Sequence, residues 1–148
     1  MKDDNEQHIE LDVQLARDLH DGDDNLLVIN QGRHHHAFDW LQDTQRAHTI
    51  TWKLTGNAKD GEFCALDETA NPGFLWLVRA PGEGIFRKLQ RVEKNKLAIH
   101  NHHHGKASEG IWHYQLFARF GDRIFGVPLT FTSGPSNSPN PSIKNTLR

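Results

Sequence analysis

Apolar residues recur at every second position in run after run of this chain, and that period restricts the possible folds more than any other feature. Ile9, Leu11, Val13 and Leu15 alternate with Glu10, Asp12 and Gln14, and Ile50, Trp52 and Leu54 alternate with Thr49, Thr51 and Lys53. Successive side chains of a strand point to opposite faces, so each run reads as a strand with one buried face and one wet face. The spacing predicts strands over 8–15, 26–30, 48–55, 62–66, 73–79 and 123–132. Turn signals such as Asp60-Gly61, Asn71-Pro72-Gly73 and Gly121-Asp122 separate them. In the stretch 85–96, Phe86, Leu89 and Val92 stand three apart as they would on a helix. The stretch is short and follows Gly84, so it is read as a strand with a basic outer side. Arg33 to Gln45 shows no period and is read as a loop. These runs predict an all-β protein, an antiparallel β-sandwich of seven or eight strands, immunoglobulin-like or cupredoxin-like, over residues 1–132. The Ser/Pro/Asn-rich segment 133–148 is expected to be an extended or disordered tail.

The richest stretch runs from Lys96 to Phe120 and holds five of the eleven histidines. It is read as a β-hairpin. Leu97, Ile99 and Asn101 share one face, as do Trp112, Tyr114, Leu116, Ala118 and Phe120. That places His100, His102 and His113 together on the outer face. Two imidazoles two apart on a strand, joined by one from a cross-strand neighbour, form the kind of set that holds zinc, nickel or copper. No carboxylate stands at a fixed spacing beside them, and solvated histidines on an outer sheet face are the simpler reading.

Composition sets several functions aside. Seventeen basic against nineteen acidic residues give a formal charge of −2, with no general pull toward nucleic acid or an anionic membrane. Mild acidification could reverse that sign by charging the histidines. Cys64 is the only cysteine, which rules out an intramolecular disulfide and makes a buried, inert thiol in a cytoplasmic protein the expectation. No run is long enough to cross a membrane as a helix, and the acidic amino terminus does not read as a secretory signal. A blue-copper centre lacks its ligands, because Met1 is the only methionine and no histidine follows Cys64 closely. There is no Gly-rich phosphate loop, GxSxG elbow or HExxH helix.

The order ITWKLTG, LAIHNHHH, WHYQLFARFGD and NPSIKN resembles small bacterial β-sandwich proteins of the DP-EP type. The resemblance covers about the last two thirds of the chain. It departs from the pattern at Asn140-Pro141, where an Asp-Pro would stand, and in having no Glu-Pro. It implies a cupredoxin-like or immunoglobulin-like scaffold and carries over no catalytic residue.

Together these readings predict a non-enzymatic binding or assembly module of unknown ligand that needs no cofactor. A protein partner or a second copy is the natural occupant of an exposed sheet edge. The alternatives are a histidine-rich metal-binding protein or metal-dependent enzyme using the 97–118 hairpin, and nucleic-acid binding through the basic 87–96 segment. His34, His35, His36 and Trp40, in the aperiodic loop, are a further candidate binding patch.

Overall fold

The computed structural model describes residues 6–20, 24–128 and 140–147. Its strands are β1 (His8–Leu15), β2 (Leu27–Ile29), β3 (His35–Phe38), β4 (His48–Leu54), β5 (Glu62–Phe63), β6 (Phe74–Leu77), β7 (Phe86–Glu93), β8 (Lys96–Asn101), β9 (Gly110–Phe120), β10 (Arg123–Gly126) and β11 (Ser142–Asn145). They form two sheets and no α-helix among the described residues, as the alternation predicts. The first sheet has the order β2-β1-β4-β8-β7. The second is built on β9 and has the order β10-β9-β11-β3, with β5 and β6 also paired to β9.

The two inner faces close on an aromatic centre. Trp52 of the first sheet donates its Nε1–H to the Tyr114 hydroxyl of the second at 3.1 Å, and both side chains are fully buried. Phe74 stacks on the Tyr114 ring at 5.3 Å. Burial pushes the Tyr114 phenol well above its ordinary range, so it stays a neutral donor and acceptor. Cys64 is buried and free, and desolvation raises its thiol too, which suits an inert core position.

Several expectations change. The sheets are mixed: β1 runs parallel to β4, and β11 parallel to β3. The loop expected over 33–45 contains β3, a strand whose alternation is hidden because two of its four residues, His35 and His36, are histidines. The sandwich does not end at 132, since Ser142–Asn145 is inserted between β9 and β3. The last strand expected over 123–132 ends at Gly126. Residues 129–139 and 148, which include the end of that strand and much of the tail, lie outside the described residues. Past Gly126 a side chain continues the ladder. The buried Gln115 amide donates to Val127 O and accepts from Val127 N–H, both at 2.8 Å.

The largest correction concerns β8 and β9, which are not a hairpin. β8 pairs with β4 and β7, and β9 belongs to the other sheet. Between them the chain crosses the end of the sandwich through a single 3₁₀ turn, Lys106–Ser108. Buried polar groups make that crossing. The Asn101 and Asn145 amides bond each other reciprocally at 2.7 and 3.1 Å, and Asn145 also donates to Ser108 O. His103 donates from Nε2 to Thr146 O at 2.8 Å, and its Nδ1 lies 2.7 Å from Ser108 Oγ. A two-residue turn would leave these groups without partners.

Candidate functional site

Because β8 and β9 lie in different sheets, the three histidines expected to meet are divided. His100 is on the outer face of the first sheet and His102 immediately follows β8. His113 is on the outer face of the second sheet, opposite Ser142 and Leu77. The core of the sandwich separates them. Among the described residues no three His, Cys, Asp or Glu side chains are placed to hold a metal ion.

The other expected patch does not form one surface. His35 faces outward with Nδ1 2.6 Å from Ser142 Oγ, and His34 packs its ring against it. His36 points to the inner side, half-buried. Trp40 is also half-buried, and its Nε1–H donates to Glu109 at 2.8 Å.

What the fold does bring together lies at one end of the outer face of the first sheet. The strand registers set His8, Thr49, His100 and Arg87 side by side in one row across β1, β4, β8 and β7. This row is the floor of a cleft of about 420 Å³. Its other lining residues are Glu6, Gln45, Arg46, Ala47, Lys88 and His102. The volume is in the ordinary range for a small-molecule site, roughly 300 to 1,000 Å³. A smaller cleft of about 220 Å³, lined by Glu83, His104 and Ser108 among others, adjoins it and shares Arg87 and His102.

Arg87 and Lys88 are neighbours in a strand, and a regular strand would turn one of them away. A β-bulge prevents this. The β7–β8 register shifts between Arg87 and Gln90, and Lys88 takes a left-handed backbone conformation with φ +58°. Phe86 and Leu89 therefore both pack against the core, and the two cations between them both line the cleft. A lysine in that conformation costs about 1 kcal/mol. Arg87 is further held by a hydrogen bond from its Nε to Gly84 O at 2.9 Å.

Cations outnumber acids at this corner, where Glu83 is the acid of the adjoining cleft. His102 is held down at about 4, first by desolvation and then by Arg87, His104, His100 and Lys88, all of which oppose its protonation. Its Nδ1 is buried with no hydrogen-bond partner. Among the described residues the one carboxylate lining this cleft, Glu6, is at the far end, where it accepts from Arg46 at 3.3 Å and pairs with His8 at 2.9 Å. The His8 hydrogen bond is the main reason its carboxyl lies below the ordinary range.

The sequence pointed to His100 and His102, and to Arg87 and Lys88 within the basic 87–96 segment, but not to Arg46, His8 or Thr49. Their gathering in one cleft depends on strand order and on the bulge. Protein-family models, curated proteins and solved structures contain no match to this chain.

Proposed function

We propose that this protein is a non-enzymatic binding module whose ligand is anionic and sits in the cleft on the outer face of the first sheet. The observation that carries the reading is the bulge. It spends backbone strain on Lys88 and gathers two adjacent cations beside His100 and His102, with Glu83 the acid of the adjoining smaller cleft. A cluster of like charges is stabilised when an anion enters it. The reading retains the immunoglobulin-like or cupredoxin-like scaffold of the sequence expectation, and a cytoplasmic location, which suits a single unpaired cysteine.

Pairing through sheet edges has less support. β7 is an edge interrupted by two register shifts and carries Arg87 and Lys88, and β2 has only three residues. Nucleic-acid binding also has less support, because no Phe, Tyr or Trp is among the described residues that line the cleft.

The reading is tested by titrating sulfate, phosphate and acetate separately into the protein and following the imidazole resonances of His100 and His102. At least one anion should shift both, and the shift should vanish in the double variant Arg87→Gln/Lys88→Gln while its melting temperature is unchanged. If no anion moves either ring, the reading fails.

One observation favours a second reading, a two-imidazole site for zinc, nickel or copper. His104 donates from Nδ1 to Leu41 O at 3.0 Å, which leaves its Nε2 lone pair buried and without a partner 5.7 Å, ring to ring, from His102. An imidazole oriented by a backbone carbonyl in this way is a common metal ligand. Zinc affinity lost in His104→Ala and retained in His113→Ala is the result this reading requires.

A further inference from the structure

The same cleft also bears on the chemistry of the ligand, a step that rests on the anion-binding reading above. Donors converge on one end of it from three directions. Arg87 and Lys88 reach in from the edge strand, and His100 stands on the floor opposite Arg87. His102 enters from the segment that leaves β8, where its backbone N–H is fixed to Ile85 O at 2.7 Å. The bond from Arg87 Nε to Gly84 O fixes the guanidinium at this end of the cleft. A carboxylate offers two oxygens in one plane and satisfies donors from one or two sides. A phosphoryl group offers three oxygens in a pyramid and can meet donors from all three.

The cleft also continues beyond these donors. The row from Arg87 to His8 spans three interstrand spacings, about 14 Å. Along it the lining changes from cations to neutral groups, Thr49 on the floor with Ala47 and Gln45 beside it. A bare inorganic ion would leave that part of the cleft empty.

We propose that the cleft binds a small phosphate monoester. Its phosphoryl group sits among Arg87, Lys88, His100 and His102, and its polar organic part lies over Thr49 toward Gln45. The Thr49 hydroxyl and the Gln45 amide offer hydrogen bonds to a hydroxylated chain or ring there.

Isothermal titration at constant ionic strength with inorganic phosphate, acetate, ribose 5-phosphate and ribose tests this. Phosphate should bind at least about tenfold more tightly than acetate. Ribose 5-phosphate should bind more tightly again, and ribose alone should give no heat. Arg87→Gln and Lys88→Gln should each weaken ribose 5-phosphate about tenfold or more with no change in melting temperature. Thr49→Val should bring it toward the affinity of phosphate alone. Acetate binding as tightly as phosphate would overturn the phosphoryl assignment and leave the anion reading standing. Ribose 5-phosphate binding no more tightly than phosphate would overturn the organic part. If no anion binds, both the proposal and the reading beneath it fall.

Discussion

Asn101 and Asn145 show how much of this fold depends on single amides. Each is almost completely buried, each donates to the other, and Asn145 also satisfies Ser108 O. Alternation placed Asn101 on the inner face with Leu97 and Ile99, and the structure agrees. Its partner could not be read from the sequence, because Asn145 stands 44 residues away in a stretch that looks like tail. Removing one amide strands the other where water cannot reach it. Asn145→Ala should cost about 3 kcal/mol, since a buried unsatisfied group costs roughly 1 to 3 kcal/mol and both atoms of the Asn101 amide lose their partner. The urea midpoint measures it. The double change Asn101→Leu/Asn145→Leu should cost less than the sum of the single changes, because no polar group is then left unpaired. Additive costs would mean the two amides act independently, against the geometry.

Among the strands, alternation was a good guide to faces and a poor guide to partners. It gave β1 and β4 correctly and assigned the inner residues of β8 and β9, because burial of every second residue is a local property of a strand. It could not show that β8 and β9 belong to different sheets. That depends on the connection, and 102–109 carries its crossing signal in buried polar residues that resemble an ordinary loop. The stretch 85–96 held a signal of another kind. Phe86, Leu89 and Val92 are three apart, which suggests a helix in isolation but in a strand means one extra residue per step. β7 has a register shift in each of those steps, yet only Phe86 and Leu89 reach the core and Val92 is exposed. The first shift sets Lys88 at φ +58°, and this yields a prediction at the scale of the strand. Lys88→Gly removes the strain and the cation together. The protein should become more stable by up to about 1 kcal/mol while anion binding weakens. A loss of stability of that size would show that the lysine side chain supports the bulge, and that the conformation was not adopted to aim it at the cleft.

For the molecule as a whole, histidine is the residue through which pH acts on stability. His48 and His103 are fully buried, and His36 and His102 are partly so. Burial is the largest influence on all four and holds each below its ordinary range, with His102 at about 4. His48 shows why the neutral ring is needed: Nδ1 accepts from the Gln7 N–H at 3.0 Å, and Nε2 donates to Asp39 O at 2.8 Å. A second proton on that ring would break the first bond. In the unfolded chain the same rings titrate near 6.5. Below that value the unfolded chain therefore binds more protons than the folded one, and stability falls with pH until the folded rings titrate in turn. Each excess proton contributes a slope of about 1.4 kcal/mol per pH unit. Glu6 does not enter this window, because a carboxyl with a lowered pKa weakens the fold only at or below the carboxylate range. The urea midpoint should accordingly be level between pH 8.5 and 7.5 and fall steadily between about 6.5 and 5. His48→Gln should be less stable at pH 7.5 but lose less on acidification, since one of the four rings is gone. A midpoint that stays level down to pH 5 in the wild type would mean the buried rings already share protons in the folded state. His48 Nδ1 would then not be the acceptor of the Gln7 N–H, and His48 would not be the singly protonated ring that its hydrogen bonds require.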